Sequence, residues 1–364
     1  MNLDFGINGD IKAEAARPII VQSTTPIGLL AVATKEFGLH KFNNAEAGLK
    51  FLSDNAINGD VVNSLKAINL QGVNCPIVLN LCAADKVLDA MDLFTKSGAL
   101  TGVELFGGML IAPVLSAVQA NGAKLDAVAS KLMATALIDN FDDSEAKVIN
   151  WAKNYGTRDS QLVFGKYTAD GVTVTASALF AGLYAYWDAK PFGYTKSHSN
   201  RVVKGVSAAE RIIEYLDGQD CEARRMRQKS VATIVNDIGW RSYGYETTHI
   251  DPIWQSLDRV RTFKRFLRAI MTAIKYARDR EANELLFVKD SITTFMNEMK
   301  GNDVIIGFSA VFDPLKNTKA TVSAGKFYLT VKMGDMPSVR ELNIELIYSD
   351  SWNDTLINFI NGNG

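Results

Sequence analysis

The sequence predicts a multi-domain α/β protein: a central α/β layer with parallel strands, a C-terminal antiparallel β unit and extended terminal arms. Three observations support this fold class. Continuous apolar runs at Ile27–Thr34 and Pro76–Leu81 are typical of strands that are buried on both faces. Helical and strand patterns alternate with short connections between residues 86 and 187, which favours parallel strands. From Val304 onward, apolar and polar residues alternate in two-residue steps, as in an antiparallel sheet.

The N-terminal third begins with a polar, glycine-containing arm over residues 1–16, and a core follows it. Its predicted elements are the strands Pro18–Val21, Ile27–Thr34 and Pro76–Leu81 and the helices Ala45–Asp54 and Asp60–Asn69. The middle third repeats helix and strand: Lys86–Thr95, Met109–Val114, Lys124–Ala134, Ala136–Asn140, a helix ending near Asn154, Gln161–Tyr167 and Ala176–Trp187. We therefore expect one α/β layer here.

A loop rich in Pro, Gly, Ser and Asn, Lys190–Lys204, separates this layer from a region that we predict to be rich in helix, including Ile250–Arg280 and Val288–Lys300. The C-terminal β unit is predicted from three alternating segments, Val304–Phe312, Ala320–Val331 and Val339–Ser349. Trp352–Ile360 fits either a short helix or a strand.

Composition narrows the classes of function. The chain has 364 residues, with 39 basic and 40 acidic side chains, so a surface that binds nucleic acid along its whole length is disfavoured. Its three cysteines, Cys75, Cys82 and Cys221, match no zinc or redox spacing and are expected to be reduced thiols. The uncharged segments Leu105–Val118 and Gly171–Trp187 are short or interrupted, and the first residues lack an apolar run. We expect a protein made in a cytoplasm, without a membrane partner or signal peptide.

No pattern of catalytic residues stands out. The three histidines, His40, His198 and His249, fall in no metal-binding pattern, and there is no GxSxG, GxGxxG or GxxxxGK[ST] motif. Gly107-Gly108 precedes a strand and is interpreted as a turn. No enzyme, metal or cofactor is therefore predicted, although an α/β enzyme with an unrecognised active site remains the alternative.

The strongest charge feature is the segment Asp258–Arg280, which holds eight basic and two acidic residues. Its apolar residues recur every three or four positions, so the segment is predicted to be an amphipathic helix. A second basic cluster contains Arg224, Arg225, Arg227 and Lys229. Such charges are either a solvated face or a docking surface for an acidic neighbour.

An ordered series of segments resembles the contractile tail sheath proteins of bacteriophages and the related R-type tailocins. It comprises Phe5–Ile7, Arg17–Val21 with Thr24–Ala33, Gly108–Ser116, Lys196–Val206, Asn236–Gly244, Ala324–Tyr328, and Pro337 with Leu342–Ile347. The most specific is Asn236–Gly244 (NDIGWRSYG), where Tyr243-Gly244 stands in place of the family's usual Trp-Gly; Trp254 and an arginine-rich helix follow it. The resemblance covers nearly the whole chain.

The resemblance implies a structural protomer without turnover chemistry, which polymerises as stacked, hexameric rings around an inner tail tube and contracts to drive the tube through the host envelope. It also implies a division into an N-terminal arm (1–16), an N-terminal part of the sheath core (17–85), a middle domain of subtilisin-like topology (86–200), a C-terminal sheath domain (201–350) and a C-terminal arm (351–364). Neighbouring subunits would exchange the arms as strands, with Ala320–Ser349 receiving them. The predicted subunit-interface residues are Phe5, Ile7, Ile11, Phe327, Leu329, Leu342, Ile344 and Leu346.

Contacts with the tube are expected to be polar and releasable, with Arg224, Arg225, Lys289 and Lys300 as the candidates. The implied partners are further copies of the chain, a tail tube protein, and baseplate and tail terminator proteins, with no membrane and no direct nucleic acid. The implied location is the virion tail, assembled in the host cytoplasm. A phage tail and a tailocin or other injection machine are not distinguished by the sequence.

Overall fold

The computed structural model describes residues 18–362. The strands are β1 Ile27–Val32, β2 Gly38–Phe42, β3 Ile77–Cys82, β4 Met109–Ile111, β5 Thr135–Asn140, β6 Ser160–Phe164, β7 Lys166–Ala169, β8 Val172–Thr175, β9 Val206–Ala209, β10 Val231–Asn236, β11 Trp240–Tyr243, β12 Ile305–Phe312 and β13 Leu329–Asp335. The α-helices are α1 Ala45–Asp54, α2 Asp60–Leu70, α3 Val87–Leu93, α4 Ser97–Thr101, α5 Gln119–Leu132, α6 Glu145–Ala152, α7 Ala176–Asp188, α8 Glu222–Arg227, α9 Leu257–Ala273, α10 Glu284–Gly301, α11 Lys319–Ser323 and α12 Asn353–Ile360.

An eight-stranded sheet in the order β11-β10-β6-β5-β4-β1-β3-β2 forms the centre of the molecule. Its six inner strands are parallel, and the outermost strands, β2 and β11, are antiparallel to their neighbours. Parallel strands are buried on both faces, which is why β1 and β3 are continuous apolar runs. The predicted central layer with parallel strands is therefore confirmed.

Helices cover both faces of this sheet. Alternate residues of β1 point to opposite sides, so Leu29 belongs to the apolar cluster that includes α1, α2 and α7, whereas Leu30 belongs to the cluster that includes α3, α5 and α8. Both side chains are fully buried. The result is a three-layer α/β/α core in which the sheet is shielded from water on both faces. A small antiparallel sheet, β8-β7-β9, adjoins it.

A third apolar core lies in the C-terminal part of the chain. The helices α9 and α10 meet through an edge-to-face contact between Phe266 and Phe295, whose ring centroids are 5.0 Å apart. The β12–β13 hairpin covers these helices with one face, and Ile305 is buried there. Ile19, near the start of the described chain, also packs into this core.

Several predicted elements are wrong in detail. Pro18–Val21 forms no strand; Pro18 lacks an amide donor, and Ile20 is 79% exposed. The predicted strand Ala320–Val331 begins as the helix α11, because Thr318 caps it by accepting a hydrogen bond from the Thr321 amide, and only its end belongs to β13. Val339–Ser349 pairs with no strand among the described residues.

The region after residue 204, predicted to be rich in helix, contributes β9, β10 and β11 before α9 begins. These strands are short, and two of them extend the central sheet beyond β6. The predicted segments 17–85, 86–200 and 201–350 consequently each supply strands to the same sheet. Trp352–Ile360, for which helix and strand were both open, contains the helix α12. No helix within residues 18–362 combines the length and apolar character needed to cross a membrane.

Candidate assembly interface

The β12–β13 hairpin has one covered face and one exposed face. Its strands pair antiparallel from Ile305 opposite Asp335 to Phe312 opposite Leu329. Phe308 packs toward the third core, whereas Val311 on the opposite face is 50% exposed. The alternation predicted for Val304–Phe312 therefore has its expected cause, a sheet with one face toward the core and one toward solvent.

Both outer edges of this hairpin are unpaired: within residues 18–362, the sheet contains β12 and β13 and no third strand. The strands are eight and seven residues long, so each edge exposes a row of amide and carbonyl groups. Such an edge is a template on which another extended segment can add as a strand.

The segment that follows β13 has the pattern of a strand that could add to such an edge. Met336 donates its amide to Val304 O over 3.2 Å, and Ser338 Oγ donates to Asp258 Oδ2 over 2.5 Å. From there, residues 339–348 make no hydrogen bond with other described residues. Leu342, Ile344 and Leu346 alternate with polar residues and are 74%, 76% and 94% exposed. This pattern is typical of a strand with one apolar face, yet none of the described residues pairs with it.

The apolar face of the terminal helix α12 is also left exposed by the other residues between 18 and 362. Its apolar residues Leu356, Ile357, Phe359 and Ile360 are each at least half exposed, as is Trp352 just before it. A helix of eight residues is only marginally stable in water by itself, so packing of its apolar face is what would stabilise it. Residues 339–360 thus expose large apolar side chains. In the three apolar cores, side chains of the same kind are buried.

The described members of the predicted interface set fall in two places. Leu329 begins β13 and is partly buried, and Phe327, two residues before it, is 37% exposed, whereas Leu342, Ile344 and Leu346 lie on the unpaired segment. Phe5, Ile7 and Ile11, with the arm 1–16, fall outside the described residues. The interface assignment itself stays a prediction.

The tube-facing candidates occupy two places. Arg225, in α8, donates two hydrogen bonds of 2.7 and 2.8 Å to the carboxylate of Glu145, and Arg224 donates to Gly218 O over 3.3 Å. Lys289 and Lys300 lie on α10, and no carboxylate among the described residues is within 4.0 Å of either ammonium group. The two α10 lysines therefore keep their charge available for an external partner.

The basic helix α9 is not a solvated face, nor are its first five basic residues free to dock a neighbour. Arg261 and Arg265 both form ion pairs with the buried carboxylate of Asp188, at the end of α7. Lys264 pairs with Asp159 at 2.5 Å and donates to Ala134 O over 2.7 Å. The two remaining pairs are Arg259–Asp335 and Arg268–Glu104. Both interpretations are wrong for these five residues, because their acidic partners belong to the same chain.

The pairing fixes α9 across the amino ends of the central strands. Arg265 Nη1 donates to Gln22 O over 2.6 Å, and Arg265 also bonds the Thr25 hydroxyl, just before β1. The Ala134 carbonyl, which receives the Lys264 bond, directly precedes β5. The C-terminal unit is therefore bound to the central sheet by buried charge-assisted hydrogen bonds.

Burial alone would raise the pKa of Asp188, but the guanidinium groups of Arg261 and Arg265 and a hydrogen bond from His198 hold it well below its usual value. Burial also lowers the pKa of His198, against the opposing effect of the Asp188 charge. We assign a neutral imidazole whose Nε2–H donates to Asp188 Oδ1 over 2.8 Å. His198 lies in the loop after α7 but is only 1% exposed, so its side chain is a buried structural group.

The carboxyl end of the central sheet, where α/β enzymes bind their ligands, holds one buried carboxylate near the end of β5. This carboxylate belongs to Asp139, and burial raises its pKa to about 7. Its oxygens accept hydrogen bonds from the Ser177 amide at 3.0 Å and the Ser177 hydroxyl at 2.6 Å. The side chain is fully buried at the N-terminus of α7, where it satisfies helix amides. Within residues 18–362, no three His, Cys, Asp or Glu side chains are placed to hold a metal ion.

Comparison with curated proteins gives three relatives, while no protein-family model matches the chain. A putative prophage major tail sheath protein of Pseudomonas aeruginosa is 33% identical over 254 residues, which cover 67% of this chain. The chain spans 65% of that relative's length. The tail sheath protein of Escherichia phage P2 is 23% identical, with 96% of each chain covered. The tail sheath protein of Burkholderia phage BcepMu is 25% identical over 181 residues, which cover 46% of this chain and 37% of that protein.

Solved structures share the fold over almost the full chain. The sheath complex of an extracellular contractile injection system (PVC) in its contracted state superposes with a TM-score of 0.73, covering 96% of this chain and 99% of its own, at 13% identity. The helical sheath of the anti-feeding prophage, also contracted, superposes with a TM-score of 0.70, covering 94% and 99%, at 16% identity. A sheath tail protein of Desulfitobacterium hafniense has a TM-score of 0.59 with 91% and 100% covered, at 8% identity.

Proposed function

The chain belongs to the contractile tail sheath proteins, and from that premise we propose that it is the structural protomer of a contractile sheath. Copies of the chain would stack as hexameric rings around an inner tail tube and rearrange on contraction to drive the tube through an envelope. The rigid, three-layer core would move as a body, since close-packed interiors deform little. The terminal segments would keep the copies linked while those bodies rotate and slide.

One observation carries this proposal: the same chain exposes two unpaired strand edges and an unpaired segment with a strand pattern. The edges belong to β12 and β13, and the segment is residues 339–348. Donation of that segment to the hairpin of a neighbouring copy would pair the open backbone groups and cover Leu342, Ile344 and Leu346. A contact of this kind joins unlike surfaces of two copies, and repeating it builds rings or helical arrays.

The donated segment would begin earlier than the predicted arm boundary at residue 351. The last contact that holds it to its own chain is the hydrogen bond from Ser338 to Asp258. Residues 339–350 would then belong to the arm that is donated, together with 351–364. The N-terminal arm 1–16, with Phe5, Ile7 and Ile11, would add to the other edge of the hairpin.

The remaining partners follow from the sheath role. The inner surface would contact a tail tube protein, and the two ends of the stack would contact baseplate and tail terminator proteins. Assembly would take place in the host cytoplasm and the product would be part of a virion or tailocin particle. Lys289 and Lys300 suit a releasable tube contact better than Arg225, whose carboxylate partner Glu145 is already bound.

The test is assembly of the purified full chain at increasing concentration, viewed by negative-stain electron microscopy. We expect hollow, striated tubes from the wild type and dispersed particles from Ile344→Asp, because the charge would lie on the apolar face of the donated strand. Asn343→Asp is the matched control: it introduces the same charge one residue away, on the opposite face, and should still form tubes.

Both substitutions lie in exposed, unbonded chain, so circular dichroism and the unfolding midpoint should match the wild type in each. Tubes from Ile344→Asp that equal the wild type in number and length would contradict strand donation by this segment. Dispersed wild-type particles, even with tail tube protein added, would contradict the sheath role itself.

A further inference from the structure

An apolar groove of about 350 Å³ lies beside the C-terminal hairpin. Its walls come from the end of α5, from α9 and α10, and from β13. The apolar residues that line it include Met133, Trp254, Phe263, Leu267, Met296 and Met333. Leu267 is 47% exposed, although it projects from a helix whose charged side chains are largely buried. An exposed apolar concavity of this size is typical of a binding site.

We propose that this groove binds the terminal helix α12 of a second copy of the chain. The proposal rests on the sheath role above but adds a contact to it, since strand addition occupies the hairpin edge and not the groove. The helix would insert Leu356 and Ile360, which lie one turn apart on its apolar face. This is a helix-in-groove contact, with anchors at positions i and i+4.

The position of the groove beside the hairpin supports α12 of a second copy as the segment that binds there. Val331 and Met333, two residues apart on β13, form one wall of the groove. A strand that adds along the free edge of β13 would therefore run beside the groove. Four residues, 349–352, separate the strand-patterned segment from α12, and a fully extended chain of that length spans at most about 14 Å. The donated strand would thus deliver the helix to the groove of the copy that receives it.

Charge supports the same occupant. Arg158 lies at the rim, with its guanidinium carbon 5.2 Å from the centre of the Trp254 ring and no carboxylate within 4.0 Å among the described residues. The other two charged residues of the groove, Asp159 and Lys264, pair with each other at 2.5 Å, so Arg158 gives the groove its net charge.

The segment 349–362 contains Asp350 and Asp354 and no basic residue. An acidic residue in the first turn of α12 also suits the helix dipole. A cationic rim and an acidic helix are complementary, which favours this segment over a basic one.

The chain's own α12 is a less suitable occupant. Residues 336–338 leave β13 through bonds to Val304 and Asp258, and the apolar face of α12 is exposed in its own chain. Exchange between copies would also cover the apolar groove and the apolar face of α12 at every repeat of the assembly. A helix held within its own chain would leave the strand segment 339–348 without a route to a neighbour.

Cysteine cross-linking between two differently substituted full chains tests the proposal. One carries Leu267→Cys and an affinity tag that changes its mass, and the other carries Leu356→Cys. They are mixed under assembly conditions and oxidised mildly. The native Cys75, Cys82 and Cys221 are buried and give the background in the wild type. We expect a disulfide-linked heterodimer on a non-reducing gel, at least tenfold above that from a control mixture in which Asn358→Cys replaces Leu356→Cys, because Asn358 lies on the opposite face of α12.

Electron microscopy of the same mixtures separates this inference from the sheath role. Tubes without the heterodimer, or equal linkage through Leu356→Cys and Asn358→Cys, would overturn the groove assignment and leave the sheath role intact. The heterodimer without tubes would support the groove contact and contradict the sheath. A single chain carrying both Leu267→Cys and Leu356→Cys that links only within itself would also overturn the proposal, because the groove would then hold its own helix.

Discussion

The central sheet and the C-terminal hairpin treat their edge strands in opposite ways. At one end of the sheet, residues 200–203 pair with the outer side of β11, through bonds such as Asn200 N to Ser242 O at 2.7 Å. At the other end, β2 is only five residues long and carries Lys41. These are ordinary protections against further strand addition. The hairpin edges are longer, and no strand among residues 18–362 covers them. The central sheet is therefore protected against the addition of a strand, whereas the hairpin is open to the strand addition proposed above.

The same contrast applies to apolar side chains. In β1, β3 and β5, the large apolar residues are fully or almost fully buried, except Val32 at the end of β1, whereas the large apolar residues between 339 and 360 are at least half exposed. Folding of the central layer therefore derives its stability from the chain itself. No other part of residues 18–362 gives residues 339–360 comparable burial, and in the proposed assembly another copy would supply it. Substitutions in the first region should change folding, and those in the second should change assembly.

The largest expected effect concerns the buried ion pairs that join the two regions. Asp188→Asn removes the carboxylate that pairs with Arg261 and Arg265 and leaves two buried cations without their anion. Breaking such a group costs about 3–5 kcal/mol of the free energy of unfolding. Urea unfolding followed by circular dichroism measures this loss.

Glu104→Gln is the control for that measurement. It also removes the carboxylate partner of an α9 arginine, Arg268, but Glu104 is 61% exposed. The expected cost is within about 1 kcal/mol, because water replaces the lost pair. Equal losses in the two variants would contradict the assignment of the Asp188 cluster as the connection between the regions.

Much of the first region could be predicted from the sequence, because a strand that is buried on both faces needs a continuous apolar run. Ile27–Thr34 and Pro76–Leu81 have that signature; the first contains β1, and the second contains all of β3 except its last residue, Cys82. The ion pairs could not be predicted in the same way. Asp188 and Arg261 are separated by 73 residues, and no local pattern marks which carboxylate faces an amphipathic basic helix.

The C-terminal errors have a different physical cause. Val339–Ser349 does carry a strand pattern, but a strand needs a partner, and none of the described residues provides one. An alternating sequence pattern indicates which face of a segment is apolar and is stabilised by burial. It does not indicate whether the partner that buries this face belongs to the same chain. The prediction for the basic residues of α9 is wrong for a related reason. Their charge predicts a solvated or docking face, but five of these side chains form ion pairs with acidic residues of the same chain.

The next effect is expected at the carboxyl end of the central sheet, within the region whose side chains are buried by the chain itself. Burial raises the pKa of Asp139 to about 7, so the folded protein binds a proton there that the unfolded chain releases near pH 4. The wild type should therefore lose stability as the pH rises from about 4 to 7, by on the order of 4 kcal/mol. Asp139→Asn keeps acceptors and donors for Ser177 and should lack this loss.

The measurement is the difference in the free energy of unfolding between Asp139→Asn and the wild type, taken at pH 4, 5.5, 7 and 8. Other titrating groups cancel in that difference. Asp143→Asn is the control, because Lys147 lowers the pKa of the exposed Asp143 carboxyl and its effect falls below this range. A difference that stays constant from pH 4 to 8 would show that the Asp139 carboxyl is already ionised at pH 4.

The smallest effect on folding should come from the charges that the C-terminal unit leaves unpaired. Lys300→Glu changes an exposed side chain at the end of α10 and should alter the free energy of unfolding by less than about 0.5 kcal/mol. If this lysine faces the tube, the variant should still form sheath tubes but lose co-sedimentation with tail tube protein. Lys153→Glu, an equal charge reversal on the exposed end of α6, should leave co-sedimentation unchanged. Loss of tube binding in Arg225→Glu with retention in Lys300→Glu would instead place the contact on α8, and with it on the region that otherwise pairs its charges internally.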